Sequence, residues 1–310
     1  MQKEIHPLRS FGREMKRNYQ LYLLLLLPLT SLIIFRYVPM YGAQIAFRYY
    51  RAADGITGSR WMGLQYFNKF ISSYQFIRVL RNTLILSLYG LAAGFPIPII
   101  LALMLNNTKS AAFRKTVQMV TYAPHFISTV VIVGMISQFF SVNGGIVNRA
   151  ITALGGKAKM FLGAPKAFRS LYVWSDVWQK MGYNSIIYIS ALSAIDPMLY
   201  EAARIDGANR LQRIFYVEIP GILPTIVTLL ILNTGNILSV GHEKVLVMQN
   251  SMNIETADVI STYVYSISFQ SSIPDYSYST AIGLFNSLVN FVVIVSVNAF
   301  SRKISETSLW

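Results

Sequence analysis

The stretch that decides the fold of this chain is Glu201-Ala202-Ala203-Arg204-Ile205-Asp206-Gly207-Ala208, followed by Val217-Glu218-Ile219-Pro220. It reads E-A-A, three residues, Gly, nine residues, an aliphatic residue, any residue, an aliphatic residue and Pro. The stretch is a polar island between two strongly apolar runs. A polar segment in this position is typical of a loop that joins two membrane-spanning helices.

The residue types within this stretch predict two short helices joined by a bend. Pro197 suits the first turn of a helix, and mostly good helix formers follow it. Gly207 gives the backbone freedom to turn, and Asp206 is expected to cap a second short helix that runs to about residue 217, before Pro220 starts the next apolar run. Small side chains keep the bend slim enough to enter a groove on another protein: Ala202, Ala203 and Ala208. The alternative is an ordinary amphipathic loop.

The composition is that of a polytopic membrane protein. Hydrophobic residues make up 54% of the 310 residues and charged residues only 13%, whereas a soluble domain carries about a quarter charged residues. Cysteine is absent, which excludes disulfides and cysteine metal sites, and the three histidines show no ligand spacing. The net charge of +14 would suggest nucleic acid as a partner of a soluble protein. In a membrane protein it reflects anionic lipid and basic helix flanks, so no nucleic-acid partner is expected.

The apolar runs predict an all-α fold with six transmembrane helices. The run 19–38 follows a basic segment, 1–18, and approaches the ~20 residues needed to cross a bilayer. No small-residue cleavage site follows it, so we expect a retained helix rather than a signal peptide. An extracytoplasmic loop, 39–81, then precedes a core of five predicted helices, 82–301, which contains the polar loop 197–220, and a tail, 302–310, ends the chain. Within the core the predicted helices are about 82–105, 116–140, 171–195, 219–240 and 276–300.

Six spans place both termini on one side of the membrane. Lysine and arginine are nearly balanced between the two sides, so their overall distribution does not decide the orientation. The dense basic flank of the first helix does, together with the need of the 197–220 loop to meet a cytosolic partner. We therefore expect both termini and this loop in the cytosol.

The sequence contains no motif for catalysis. The phosphate-binding pattern G-x-x-x-x-G-K-[ST] is absent, and Gly155-Gly156-Lys157-Ala158, which comes nearest, lacks the leading glycine and the hydroxyl. No H-E-x-x-H or serine-nucleophile motif occurs. The chain is therefore not expected to be an enzyme, to hydrolyse ATP, or to hold a cofactor or metal of its own.

Polar side chains inside the predicted spans are candidates for a transport pathway, because polar groups are costly where they face lipid. They are Asp176, Trp178, Gln179, Lys180, Tyr183, Asn184, Asn233, Asn236, Asn286 and Asn290. Amides suit the hydroxyls of a sugar, and aromatic rings suit its apolar face. The alternative role of the asparagines is hydrogen bonding between helices, and Asp176 and Lys180, four residues apart, could pair with each other. His242-Glu243-Lys244, after the fifth span, either gates the pore, contacts a docking protein or forms an exposed turn.

The quoted stretch resembles the EAA loop of bacterial ABC importer permeases of the carbohydrate type. Tyr188-Ile189-Ser190-Ala191-Leu192 and Ile195-Asp196-Pro197 make the chain most similar to the lipoprotein-associated permeases for complex oligosaccharides and polysaccharide fragments. The resemblance extends from Gly63 to the sixth span. Asn209, at a position that is often small, and His242, where such permeases often carry an aromatic residue, depart from the pattern.

The resemblance implies the transmembrane domain of a type I importer in the bacterial inner membrane. It implies a second permease subunit, two ATPase subunits that bind ATP and Mg, an extracytoplasmic solute-binding protein and an oligosaccharide as the substrate. Coupling to the ATPases is carried over to Glu201, Ala202, Ala203, Arg204, Asp206, Gly207, Ala208 and Pro220. Movement of the ATPases would then rock the helix bundle.

Basic residues in the predicted outer segments bear on the substrate. They are Arg48, Arg51, Arg60, Lys69, Arg78, Arg81, Lys157, Lys159, Lys166 and Arg169. They could attract acidic sugars such as uronate oligomers from alginate or pectin, or dock an acidic binding protein or lipid headgroups. Two other functions stay open: the same architecture importing a polyol or glycerol phosphate, and a channel or carrier without ATPases. The carrier predicts buried acidic relays, and Asp176 is the only acid well inside a predicted span.

Overall fold

The computed structural model describes residues 17–235, 237–238 and 240–305. Over these residues the chain is almost entirely helical, which confirms the predicted fold class apart from one antiparallel pair of two-residue strands, Arg48–Tyr49 and Arg60–Trp61. Four helices in the described part are long and apolar enough to cross a membrane, and up to six are if each of two bent helix pairs counts as one.

We number six spans in chain order. They are span 1 (Tyr19–Phe47), span 2 (Tyr74–Asn106), span 3 (the bent pair Ala111–Phe126 and Thr129–Phe139), span 4 (Pro165–Ser193), span 5 (Arg210–Thr234) and span 6 (Tyr276–Ser305). The helix Pro197–Ile205, here called the Glu201 helix, joins spans 4 and 5. It lies where span 2 ends, and we call this the Glu201 end of the bundle.

The spans begin and end some residues away from their predicted positions. Span 1 continues to Phe47 through a π-helical turn, and span 2 begins at Tyr74 rather than at residue 82. Span 4 begins at Pro165 instead of residue 171, and span 5 begins at Arg210 and ends at Thr234 instead of covering 219–240. The reason is that hydropathy marks only the part of a helix that crosses the apolar layer, whereas helical hydrogen bonds continue into the flanking polar residues.

Span 3, predicted as one run over about 116–140, is a bent pair of helices that begins at Ala111 and ends at Phe139. Its two halves meet at 101°. The first half ends in a short 3-10 turn that contains Pro124, which has no backbone N–H to continue the helix. Ser128 then caps the second half by accepting a hydrogen bond from the backbone N–H of Val131. The side chain of Gln179 in span 4 donates to the freed carbonyl of Ile127 at 3.0 Å, so the break is satisfied from a neighbouring helix.

The three segments predicted to lie on the outer side, 39–81, 141–171 and 241–275, each contain helical turns. These are Gly55–Gly58 and Gln65–Ile71 in the first, Ile146–Ala153 in the second, and His242–Met248, Ile254–Ala257 and Ile260–Tyr265 with the π turn Ser266–Gln270 in the third. Side chains fasten these turns to one another. The amide of Asn253, for example, donates to the carbonyl of Leu162 at 2.9 Å. These segments are therefore ordered parts of the bundle and not simple connections.

Three clusters of buried apolar side chains hold the bundle together. One lies around Val177 and joins spans 2 and 4 to the helix His242–Met248. A second lies around Phe70 and joins span 6 to residues before span 2. The third lies around Ile222, near the Glu201 end, and joins spans 2, 4 and 5. The apolar window of span 1, by contrast, has none of its residues buried within this chain.

Candidate functional site: a charged cavity and the Glu201 helix

A cavity of about 620 Å³ lies between spans 2, 4 and 5 and the helix His242–Met248. This volume is within the roughly 300–1,000 Å³ that is usual for small-molecule sites. Its wall on span 2 is made of small and apolar residues such as Gly90 and Gly94. The polar lining comes from span 4, span 5 and the helix after it: Asp176, Gln179, Lys180, Asn184, Asn233, His242, Glu243 and Lys244. Asp176, Lys180 and Asn184 are spaced by four residues, which places them on one face of span 4.

Two lysines share one carboxylate at this wall. The Nζ of Lys180 lies 2.9 Å from Oδ1 of Asp176, as the spacing in the sequence suggested. The Nζ of Lys244 lies 3.4 Å from the same oxygen, and the side chain of Lys244 is only 5% exposed. The Lys244 ammonium also lies 5.2 Å from the centre of the Tyr172 ring, within cation–π distance. The cluster therefore carries one more positive charge than negative charge.

Lys244 was considered only as part of His242-Glu243-Lys244 and was not among the candidate pathway residues. It belongs to the helix His242–Met248, outside the six spans. Of the alternatives for His242-Glu243-Lys244, the structure contradicts the exposed turn for Lys244, which is 4% exposed. Burial lowers the pKa of its ammonium group to about 8, and the charge of Asp176 opposes this effect. The apolar residues that follow it, Val245 to Met248, were the available signal for a packed helix.

The other candidate pathway residues are divided between the cavity and other places. Gln179 and Asn233 line the cavity, but their amides donate to backbone carbonyls, of Ile127 and Leu229 respectively. Trp178 and Tyr183, which are 42% and 44% exposed, are not among the lining residues.

The asparagines of span 6 also lie away from the cavity lining. The Oδ1 of Asn290 accepts a hydrogen bond from the backbone N–H of Leu238 at 3.0 Å, which joins span 6 to the segment after span 5. The Oδ1 of Asn286 is buried and has no hydrogen-bond partner among the described residues. Asn236 lies outside the described residues. Contact of any of these side chains with a substrate stays a prediction.

The Glu201 helix ends in a regular capping motif. The side chain of Asp196 accepts from the N–H of Met198 at its start. At its end Gly207 has a φ of 77°, in the left-handed region that favours glycine. The N–H of Gly207 donates to Arg204 and the N–H of Ala208 donates to Ala203, the pair of bonds that defines a Schellman motif. The predicted bend at Gly207 is therefore present.

The prediction that Asp206 caps the following helix is wrong. Asp206 instead follows Ile205, the last residue of the Glu201 helix, and occupies the C-cap position of that helix. The cap is Asn209, which accepts from the N–H of Gln212 at 2.9 Å, while the Gln212 side chain accepts from the N–H of Asn209 at 2.7 Å. The helix that begins there is also not a separate short helix, because it continues through Pro220 as span 5.

Most side chains from Glu201 to Ala208, and that of Pro220, are open to contact. Glu201, Arg204, Asp206 and Pro220 are exposed, and so are Ala202 and Gly207, while Ala203 and Ala208 are half-buried. Large apolar side chains beside them are exposed as well: Ile205 is 85% exposed and Met198 is 72% exposed. The Glu201 helix is thus a slim element with an apolar and charged outer face that the chain itself does not cover.

Several of the basic residues near the opposite end have partners in the chain. Arg48 donates to the carbonyls of Thr57 and Ser59, and Lys69 pairs with Asp275 at 3.1 Å. Others with partners are Arg51 (Asp54), Arg78 (Asp258) and Arg169 (Asn82). These six contacts show that part of this basic charge stabilises the chain. Among the described residues no group of three His, Asp or Glu side chains could hold a metal ion.

Comparison with known proteins gives consistent matches. The family model described as "Binding-protein-dependent transport system inner membrane component" matches residues 94–306. "Protein LplB" of Bacillus subtilis (strain 168) is 40% identical over 301 residues, which cover 97% of this chain and 94% of that protein. The "Polygalacturonan/rhamnogalacturonan transport system permease protein YteP" of the same organism is 40% identical over 290 residues, covering 94% and 90%.

A solved structure matches over nearly its whole length. It is a chain in the crystal structure of a bacterial ABC transporter involved in the import of the acidic polysaccharide alginate. The TM-score is 0.87 and the identity 40%, and the match covers 96% of this chain and 99% of that chain. The same values hold for the structure of bacterial alginate ABC transporter in complex with alginate pentasaccharide-bound periplasmic protein.

Proposed function

The chain belongs to the family of inner membrane components of binding-protein-dependent transport systems, and from this premise we propose how it couples ATP to the import of an acidic oligosaccharide. It is a multi-pass permease of an ABC sugar importer, as the resemblance of the Glu201 stretch predicted. The family description, which names binding-protein-dependent transport, opposes a channel or carrier without ATPases, and the names of the matched proteins favour a sugar over a polyol or glycerol phosphate. Our proposal concerns the partner subunits, the orientation of the chain in the membrane and the class of sugar.

The Glu201 helix is the proposed contact with an ATPase subunit. Its support is the exposed outer face, together with a Schellman motif that fixes the bend without a bulky side chain. Hydrolysis then takes place in two partner ATPases that bind ATP and Mg, and a second permease completes the pore. The Glu201 helix and both termini lie in the cytosol, while an external binding protein meets the opposite end.

The proposed substrate is an oligosaccharide that carries carboxylates, such as a uronate oligomer. The single observation that carries this proposal is the cluster in which Lys180 and Lys244 share the one carboxylate of Asp176 at the cavity wall. Glu243 also lines the cavity but lies within ion-pair distance of no cation among the described residues, so a substrate carboxylate would pair with the positive charge that Asp176 does not balance within the cluster. Alginate and polygalacturonan, which the matched proteins transport by name, are acidic sugars of this class.

The test uses the complete transporter in liposomes, with uptake of an acidic oligosaccharide compared with that of a neutral one of equal length. For Lys244→Met we expect the uptake of the acidic sugar to fall about tenfold, because a charge-assisted hydrogen bond contributes about 1.5–3 kcal/mol. Uptake of the neutral sugar should change less than twofold. Lys157→Met is the matched control, because Lys157 is exposed and outside the cavity lining. An equal loss for both sugars would assign Lys244 a structural role and refute the proposal.

A further inference from the structure

A buried carboxylate lies between the Glu201 helix and the cavity wall and has no part in the site described so far. Glu218 is 1% exposed and is the last residue of the π-helical turn Ile214–Glu218 in span 5. Among the described residues no cation lies within ion-pair distance of it. A carboxylate without water or a paired cation is costly, so its hydrogen bonds must compensate.

Those hydrogen bonds come from the last turn of span 2. The amide nitrogen of Asn107 lies 2.9 Å and 2.8 Å from the two oxygens of Glu218, and the amide nitrogen of Asn106 lies 3.1 Å from Oε1. Asn106 also lies 3.4 Å from the hydroxyl of Tyr200, the residue that directly precedes Glu201. The Glu201 helix, the start of span 5 and the end of span 2 thus meet in one polar cluster, here called the Glu218 cluster (Asn106, Asn107, Tyr200 and Glu218).

Apolar packing encloses this cluster on the side of the bundle. Ala102, Leu103 and Ile222, which lie one turn away on spans 2 and 5, are buried. Gly221 allows Ile195, just before the Glu201 helix, to approach closely: a Cβ at Gly221 would lie 2.6 Å from its Cδ1. Asn106, Asn107 and Tyr200 are half-buried, but Glu218 is buried and keeps its partners because an unpaired carboxylate would be costly there.

We propose that the Glu218 cluster transmits the movement of the Glu201 helix to span 2. The chain itself joins the Glu201 helix only to spans 4 and 5, whereas span 2 supplies the cavity wall around Gly90 and Gly94. Span 2 would therefore follow the ATPases through the bonds from Asn106 and Asn107 to Glu218. This inference rests on the proposed contact between the Glu201 helix and an ATPase.

The experiment measures sugar imported per ATP hydrolysed by the complete reconstituted transporter. Glu218→Gln keeps the shape but replaces an acceptor-only group by an amide that faces two donor amides. We expect the ratio to fall at least fivefold, with ATPase subunits still bound and ATP still hydrolysed. Asn107→Leu removes the same bonds from the side of span 2 and should lower the ratio by a similar factor, and the double variant Glu218→Gln with Asn107→Leu should lose no more than about twofold beyond either single variant. Glu255→Gln, at an exposed carboxylate of the opposite end, is the matched control and should change nothing.

The outcomes separate this inference from the proposed function. An unchanged ratio in Glu218→Gln, or losses in the two single variants that multiply in the double variant, would overturn the role of the Glu218 cluster. If Glu218→Gln fails to assemble, Asn106→Leu is measured instead, because it removes the Asn106 bonds and leaves those of Asn107. The inference then requires a two- to threefold lower ratio of sugar imported to ATP hydrolysed, and an unchanged ratio overturns it. If the chain without any substitution binds no ATPase subunit, the proposed function itself is refuted.

Discussion

Replacement of Gly207 tests how far the bend after the Glu201 helix is set by backbone conformation alone. Its φ of 77° is in the left-handed region, where a residue with a Cβ costs about 1–2 kcal/mol. No atom lies within 4 Å of a Cβ built at this position, so the structure adds no steric cost. In Gly207→Ala the closed Schellman conformation should therefore be destabilised by about 1–2 kcal/mol relative to frayed conformations. The ratio of closed to frayed forms should fall by a factor of about 5–30.

The assay is binding of the ATPase subunits to the reconstituted permease pair, followed by ATP-driven uptake. Because only the closed bend fits the proposed docking, the affinity for the ATPase should fall by up to the same factor. Gly207→Asn should lose less, since asparagine tolerates the left-handed region better. Gly283→Ala is the control: it lies within the helix of span 6 and also has open space around a Cβ. Equal affinities for Gly207→Ala and the original chain would refute the reasoning.

Three other changes test the packing and the charges. Gly182→Ala should prevent the close approach of spans 3 and 4, because a Cβ there would lie 2.2 Å from the carbonyl oxygen of Thr121, and the melting temperature of the purified complex should fall or the complex should fail to form. Asp258→Asn should weaken the 2.7 Å pair with Arg78, whose side chain is 36% exposed, and lower thermal stability by about 1–2 kcal/mol; a melting temperature equal to the original would contradict this. Uptake of an acidic sugar should fall as the pH rises through about 8, because Lys244 then loses its proton, and Lys244→Arg should abolish this fall, as judged from uptake between pH 6.5 and 9.

Features that depend on neighbouring residues in the sequence were predictable. The E-A-A spacing and Gly207 predicted the Glu201 helix and its bend. This was possible because the hydrogen bonds of a Schellman motif join residues within about one helical turn. The pair Asp176 and Lys180 followed from helical periodicity for the same reason. The prediction of Asp206 as the cap failed because aspartate and asparagine both cap helices, and the reciprocal partner Gln212 belongs to Asn209.

Contacts between residues far apart in the sequence were not predictable. Lys244 reaches Asp176 across 68 positions, and Glu218 reaches Asn107 across 111. Neither pair has a periodic signature, because the partners meet only after the bundle has packed. The bend of span 3 was not predicted for a related reason. Pro124 is visible in the sequence, but the amide of Gln179 that satisfies the freed carbonyl of Ile127 comes from another helix.

Polar contacts hold span 2 at both of its ends, so the helix can bend only between them. Near its start, Arg78 pairs with Asp258, and the amide of Asn82 donates to two backbone carbonyls of the same segment, while its last turn binds Glu218. Between these ends Pro96 and Pro98 lack the backbone N–H that would bond to the preceding turn, and Pro98 lines the cavity. A movement at the Glu201 end would therefore be absorbed at this weakened turn, so the part of span 2 that bends most easily is the part that shapes the cavity.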